Sequence, residues 1–229
     1  MQQDYYDKIK FLRLVFSSLI HDMRNPLSGI SGYVQLIEQK AEDETISGYC
    51  KTVLDSLRNL QQINNDFLDI LDGKSIELDK CTVSLSAVFN ELKDKLSEIY
   101  QHSTIELSFD IHSDIKIFGD KEKLIKAFYN IFDNSREAMT EGGTLTVRVT
   151  SNGNNAEVVI SDTGKGIPDS IRESIFKPFV TYEKPEAIGL GLAYTENIIT
   201  GHKGTISVVS EFGRGTDFSI AIPLATKEV

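Results

Sequence analysis

Two consecutive amphipathic stretches at the start of the chain constrain its fold more than any other feature. In residues 4–42 the apolar side chains Phe11, Leu12, Val15, Leu19, Met23, Leu27, Ile30, Val34 and Ile37 step by three and four, the spacing that gathers them on one face of an α-helix. A polar break follows at Ala41-Glu42-Asp43-Glu44-Thr45, and residues 46–72 repeat the pattern with Ile46, Tyr49, Val53, Leu57, Leu60, Ile63, Phe67 and Ile70. Two helices joined by so short a break form an αα-hairpin. One hairpin cannot bury both apolar stripes on itself, whereas two hairpins paired as a four-helix bundle can. The expectation is a homodimer.

Charge and composition narrow the classes further. The 229 residues suffice for one large domain or two small ones, and a hydrophobic content of 40% supports a packed core. A formal net charge of −10 argues against a nucleic-acid-binding surface. The two cysteines, Cys50 and Cys81, lack metal-ligand spacing and suit a reducing cytosol. No run of about 18 apolar residues and no signal-peptide pattern occurs, so no direct membrane insertion is expected of this chain.

The segment Asp72-Gly73-Lys74-Ser75 reads as a helix end, followed by a linker at 74–80. Beyond it the pattern becomes mixed. Residues 84–101 are helical, Ile105–Asp110 and Asp114–Phe118 alternate like strands, and Asp120 is placed to cap a helix running to Met139. Thr144–Thr150 and Ala156–Ser161 read as strands joined by a Gly153-Asn154 turn. A loop region with one short helix covers 162–188, a helix runs from near Leu190 to Gly201, and Thr205–Ser210 with Thr216–Ile222 form a last hairpin. Helices mixed with mostly hairpin-linked strands imply an α+β sandwich over 81–229, with the helices on one face of a sheet.

Four groups of residues carry chemistry. In the first helix, His21 and Asn25 stand four apart and share a face, Asp22 adjoins the imidazole, and Pro26 removes a backbone donor and should bend the helix. Asn130 and Asn134 repeat the four-residue spacing on a later helix, where two neutral amide oxygens suit a hard cation such as Mg²⁺ that keeps waters and phosphates in its shell. Asp162-Thr163-Gly164-Lys165-Gly166 follows an apolar strand; the aspartate can accept from an exocyclic amino group, and Gly164 and Gly166 let the backbone turn close to a flat ring. Gly189-Leu190-Gly191-Leu192 opens a helix whose leading N–H groups attract phosphate. A dinucleotide fingerprint is excluded there because the third glycine is missing. Between the glycine motifs, Phe176 and Phe179 could anchor a mobile lid and Lys184 could reach a phosphate.

In this order the motifs resemble the H, N, G1, F and G2 boxes of bacterial sensor histidine kinases, over about residues 15–223. The forms Arg24-Asn25-Pro26-Leu27, Glu137-Ala138-Met139 and Lys177-Pro178-Phe179-Val180-Thr181 look most like the nitrogen-regulation and sporulation branch. The resemblance implies that residues 1–73 form a dimerisation and phosphoacceptor hairpin, and that 81–229 form the GHKL (Bergerat) ATP-binding fold shared with gyrase, Hsp90 and MutL. It implies ATP and Mg²⁺ as cofactors. Asn134 and Asn130 would hold the metal, Asp162 would read adenine, and Gly164, Gly166, Phe176, Lys184, Gly189 and Gly191 would complete the nucleotide site. His21 would take the γ-phosphoryl group, oriented by Asp22, and pass it to an aspartate on the receiver domain of a response regulator. Asn25 would orient water for the reverse, phosphatase, reaction. The hydrolytic relatives place a glutamate four residues before the metal-binding asparagine; here that place holds Asn130, which cannot act as a base. A cytoplasmic location is expected, as a whole or as the cytoplasmic part of a larger or membrane-associated sensor.

Two departures stand out. The family usually writes Gly-Thr-Gly before the last glycine of the G2 box, where this chain has Ala187-Ile188-Gly189. A side chain at 187 restricts positive φ, and Ile188 offers no hydroxyl to a phosphate. Ser135 stands where alanine is usual. The leading reading is an active ATP-dependent protein histidine kinase. The alternatives are a noncatalytic dimeric adaptor or phosphorelay protein, and a hydrolytic ATPase of the gyrase type.

Overall fold

A computed structural model describes residues 2–41, 43–100, 103–111, 114–183 and 187–225, with the side chains of 2–9, 13, 21, 59, 62 and 98 outside the description. The chain divides into two compact units, Met1–Lys74 and Ser75–Val229.

The first unit is a helical hairpin of α1 (Gln2–Lys40) and α2 (Glu44–Asp72). Asp43 starts α2 by accepting from the Thr45 N–H at 2.7 Å, which satisfies one of the donors a helix leaves open. Gly73 ends it in the left-handed conformation (φ 64°), with Gly73 N–H donating to the Ile70 carbonyl and Lys74 N–H to the Asp69 carbonyl. The helix α1 runs unbroken through Pro26, which lacks the N–H that would close onto the carbonyl of Asp22.

The apolar stripe of α1 does not act as one face. Phe16 meets Phe67 edge-on with ring centroids 5.0 Å apart, and Ile20, Leu27, Cys50 and Leu54 are buried in the unit. Most of the stripe read from the sequence stays outside that seam. Phe11, Leu19, Met23, Ile30 and Ile37 of α1 and Ile46, Tyr49, Val53 and Ile63 of α2 are exposed. The first unit therefore carries two apolar surfaces, one closed within the hairpin and one open.

The second unit is a layered α+β structure. Its elements are β1 (Cys81–Ser84), α3 (Leu85–Tyr100), β2 (Ile105–Ile111), β3 (Lys116–Gly119), α4 (Lys121–Ala138), β4 (Gly143–Asn152), β5 (Asn155–Asp162), α5 (Asp169–Arg172), α6 (Gly191–Gly201), β6 (Thr205–Glu211) and β7 (Gly215–Pro223). Five strands form one sheet in the order β2-β4-β5-β7-β6, antiparallel except for the β2–β4 pair. That parallel pair is joined by a connection that includes α4, which carries the chain back across the sheet. Strand alternation decides the layering: Leu145, Val147, Ala156, Val158, Ile160, Ile220 and Ile222 are buried, and the intervening residues are more exposed. Phe89 of α3 packs on Phe128 of α4 with centroids 4.8 Å apart, and Phe132 of α4 lies 6.4 Å from Phe109 of β2. These rings join the helical layer to the sheet.

A small second sheet has no counterpart in the sequence reading. Strand β1 pairs antiparallel with β3, Val83 opposite Ile117, so the two strand-like runs between 105 and 118 belong to different sheets. A strand as short as Cys81–Ser84 has too few alternations to be read from periodicity.

Residues 75–80 are fastened to the second unit. Ile76 is buried and its N–H donates to Asn197 Oδ1 at 2.9 Å; Asp79 N–H donates to Asp120 Oδ2 at 3.0 Å; Lys80 Nζ donates to the Gly201 carbonyl at 2.7 Å. His202 sits beside this strap, 4% exposed. Its Nε2 accepts from the Asp120 N–H at 2.9 Å, so Nδ1 carries the proton and donates to the Ile198 carbonyl at 2.7 Å. The ring thus ties the first residue of the α4 cap to the end of α6. Gly119 makes room for it, since a Cβ there would come 2.6 Å from His202 Cδ2.

Burial lowers the His202 pKa below the ordinary 6.5, with the Lys80 ammonium in support and the Ile198 carbonyl and the Asp120 carboxylate opposing. The unfolded chain therefore takes up a proton that the folded ring resists. The stabilisation is complete above about pH 6.5 and is lost as pH falls toward the lowered folded value. Replacing His202 with Gln should cost about 1–3 kcal/mol near pH 8 by leaving buried partners unpaired. In thermal melts the gap between wild type and His202→Gln should narrow at about pH 5.5. An equal gap at both pH values would show that the ring does not titrate.

Candidate functional site

Three of the four chemical groups, all but that of the helical hairpin, converge where α4, α6 and β5 meet. Asn130 and Asn134 lie one turn apart on α4. Asn130 Nδ2 donates to the Gly191 carbonyl at 3.1 Å, which commits its amide nitrogen and presents Oδ1 as the acceptor. Asn134 Nδ2 donates to the Asn130 carbonyl at 2.8 Å, which leaves its oxygen the atom suited to a cation. Thr195 Oγ1 is within hydrogen-bond distance of the Ala127 carbonyl (3.0 Å) and the Gly191 carbonyl (2.9 Å). The first turn of α6 is thereby held against the middle of α4. That turn begins at Gly191, and its cap residue, Leu190, supplies no side-chain hydrogen bond. The leading N–H groups of α6 are therefore directed at whatever occupies the space before them, and they favour an anion.

The segment before α6 is closed at its base. Phe179 N–H donates to the Gly189 carbonyl at 2.8 Å. Gly189 has φ 74°, and a Cβ there would lie 2.7 Å from the Val180 carbonyl oxygen. Phe179 also adopts positive φ (66°), which a side chain tolerates only under tertiary constraint. Phe176 is half-buried and meets Phe218 of β7 with centroids 6.5 Å apart, so it pins this segment to the sheet. Ala187 and Ile188 are exposed. Ala187 is not among the positive-φ residues; the left-handed turn of this box sits at Gly189. The restriction that a side chain imposes at 187 is thus avoided.

Asp162 ends β5 and is 6% exposed. Its Oδ2 accepts from Ser135 Oγ at 2.9 Å and its Oδ1 from the Gly164 N–H at 2.9 Å. Burial raises its pKa, while the bonds from Gly164, Ser135 and the Thr216 N–H pull it back. Gly164 lies against the end of α4: a Cβ would come 2.8 Å from both Cβ and carbonyl oxygen of Ala138, and the next residue, Lys165, donates its N–H to that carbonyl at 3.0 Å. Gly166 turns with φ 68° under the Glu211 carbonyl, where any Cβ would collide.

Not every residue singled out in the sequence is placed. His21 lies in α1, with its side chain outside the described residues; Lys184 lies outside them altogether. Asp22 and Asn25 are exposed on α1. The lysine that the structure does place near the lid segment is Lys165, whose Nζ pairs with Glu183 at 2.8 Å. Ser135 gave only a substitution for alanine as its signal, yet it is the side chain bonded to Asp162.

Among the described residues no group of three or more His, Cys, Asp or Glu side chains forms a metal cage. The donor set here is neutral amide oxygen, which fits Mg²⁺ sharing its shell with phosphates and water. A pair of amide oxygens on α4, an anion-attracting start of α6 and a buried acceptor at the end of β5 together suit a nucleoside triphosphate.

Comparison with known proteins agrees with that chemistry. Residues 11–74 match the His Kinase A (phospho-acceptor) domain, and residues 119–226 match the histidine kinase-, DNA gyrase B- and HSP90-like ATPase family. Sporulation kinase B of Bacillus subtilis (strain 168) is 30% identical over 220 residues, 95% of this chain and 51% of the relative. The chain spans between about a third and half of the first curated relatives it matches. Full-length ShkA in complex with AMPPNP superposes with TM-score 0.66 at 26% identity, over 93% of this chain and 46% of that one. Histidine kinase ThkA in complex with the response regulator protein TrrA superposes with TM-score 0.61 at 22% identity, over 100% of this chain and 66% of that one, a likeness of fold.

Glycine replacement separates backbone strain from crowding. Gly213 has φ 88° and open space around a Cβ, whereas Gly189 has both positive φ and the Val180 carbonyl. Gly213→Ala should cost about 1–2 kcal/mol from φ alone. Gly189→Ala should cost more and should speed protease cutting between residues 176 and 190. Equal costs, with no change in cutting, would remove the close approach at Gly189 from the account.

Proposed function

We propose, from the premise that this chain is the catalytic core of a sensor histidine kinase, that it transfers the γ-phosphoryl group of ATP to His21 and then to an aspartate of a response regulator. The observation that carries the reading is the Asn130 side chain. Its amide nitrogen is committed to Gly191 at 3.1 Å, and an amide has no basic atom with which to activate water. A site built this way holds the triphosphate for an acceptor that arrives from elsewhere. In this scheme the acceptor is His21, which lies within the residues that match the phospho-acceptor domain and offers an imidazole nitrogen as nucleophile.

Each remaining residue has a role in this scheme. Asp162 accepts from the adenine amino group, and Gly164 and Gly166 let the loop lie close to the base. The leading N–H groups of α6, from Gly191 on, receive phosphate oxygens, with Gly189 setting the turn before them. Phe176 anchors the lid segment and Lys184 reaches a phosphate. Asn134 and Asn130 hold Mg²⁺, which supplies charge neutralisation on the phosphates when bound. Asp22 holds the imidazole in the orientation for attack, and Asn25 orients water in the reverse reaction on the regulator. Positioning and charge neutralisation are the main requirements of phosphoryl transfer.

The unit assignments follow. Residues 1–73 serve as the dimerisation and phosphoacceptor domain, 74–80 as the connection and 81–229 as the ATP-binding domain. A homodimer is supported by the open apolar surface of α1 and α2, which a second hairpin would cover. A response regulator as partner is supported by the ThkA–TrrA complex among the structural relatives. No helix of the described residues is long and apolar enough to cross a membrane, which suits a cytoplasmic reaction.

Incubation with γ-labelled ATP and Mg²⁺ tests the reading directly. His21→Gln should lose all label while still binding ATP, and full-rate labelling would move the acceptor elsewhere. Asn134→Ala should weaken ATP binding at least about tenfold when Mg²⁺ is present and little in its absence, about 1.4 kcal/mol or more of metal-dependent affinity. A loss independent of Mg²⁺ would overturn the metal assignment.

A further inference from the structure

Among the described residues, Ser135 is the side chain that bonds Asp162, and nothing in the phosphotransfer scheme uses it. It follows Asn134 on α4 and is 1% exposed. Its Oγ donates to Asp162 Oδ2 at 2.9 Å, while the Gly164 N–H donates to Oδ1 at 2.9 Å. Ser135 and Gly164 take opposite oxygens, and the Thr216 N–H of β7 bonds the carboxylate as well, so a helix, a loop and a strand together fix its position and plane. Two carboxylate oxygens offer about four lone-pair sites, so three protein donors leave capacity for a donor on a ligand.

We infer that Ser135 is a positioning residue for nucleobase selection, holding Asp162 in the orientation that favours a purine carrying a 6-amino group. The inference rests on the assignment of Asp162 to the nucleobase made above. Ser135 is too buried to meet a ligand itself, so its effect passes through the carboxylate. A hydroxyl has one proton, and here that proton is spent on Asp162 Oδ2. It is therefore not available to turn toward a 6-carbonyl. The anchored carboxylate offers acceptors only, which complements the amino group of adenine and repels the carbonyl of guanine. With alanine at 135, Oδ2 loses its only side-chain partner among the described residues, the one on α4, and the carboxylate is held by the backbone donors of Gly164 and Thr216. The acceptor can then rotate away from the amino group.

The test is a set of binding measurements on the full chain with Mg²⁺, using ATP, GTP and purine riboside triphosphate, which lacks the 6-amino group. Wild type should prefer ATP over both analogues. Ser135→Ala should weaken ATP roughly five- to tenfold and change purine riboside triphosphate by less than about twofold, so that discrimination shrinks. Ser135→Cys, of similar shape with a weaker donor, should fall between. The ratio of ATP to purine riboside affinity within one variant is insensitive to partial unfolding, because loss of folded protein weakens both alike. If Ser135→Ala weakens both ligands equally, or neither, the serine is a packing residue and the inference fails. If wild type itself shows no preference for ATP over purine riboside triphosphate, the assignment of Asp162 is what fails.

Discussion

The second unit depends on α6 being fixed to α4 at both of its ends. Near the nucleotide end, Asn130 bonds the Gly191 carbonyl and Thr195 bonds the Ala127 carbonyl. At the far end, His202 accepts from the Asp120 N–H and donates to Ile198. Both bonds at the far end are buried, where an unmade partner costs most. Two helices clamped in this way cannot slide past each other without breaking satisfied polar groups at both ends. The amide pair on α4 and the open N-terminus of α6 therefore keep their spacing.

The strap at 76–80 uses the same far end. Asp120 receives the Asp79 N–H on one carboxylate oxygen and caps α4 through the Lys123 N–H with the other. Lys80 reaches the Gly201 carbonyl at the close of α6. The backbone leaving the helical hairpin is thus attached to the very pair of helices whose opposite ends hold the site. Ile76 and Lys80 bond α6 directly, at Asn197 and Gly201.

Much of this was legible in the sequence, and the failures have identifiable causes. The helices read correctly because their periodicity is long and some ends carry chemical signals: Asp120 accepts from the Lys123 N–H, and Gly73 turns left-handed. The stripe of α1 was legible as apolar but not as divided. Periodicity shows which side chains avoid water, and it does not say which of two partners covers them; Ile20 and Leu27 face the intramolecular seam while Leu19, Met23 and Ile30 do not. Strand β1 was missed because four residues carry almost no periodic signal. His202 and Ser135 were passed over because their importance lies in partners 82 and 27 residues away. A lone histidine or a serine for alanine has no local mark of that.

The departure in the last glycine box shows the same limit from the other side. Counting glycines treats Ala187 and Ile188 as a loss of backbone freedom. The fold asks for that freedom at one place, Gly189, where φ is 74° and the Val180 carbonyl leaves no room for a side chain. Ala187 and Ile188 lie outward of this turn and are exposed. What the chain gives up is the hydroxyl at 188, a single polar contact, while the turn, the lid base at Phe179 and the uncapped start of α6 are all retained. The backbone groups that would receive phosphate are set by Gly189 and by the Asn130 bond to Gly191, and neither depends on the residues that changed. The altered box therefore weakens the argument for an adaptor that has lost its nucleotide, because the elements such a loss would erode are the ones the structure keeps.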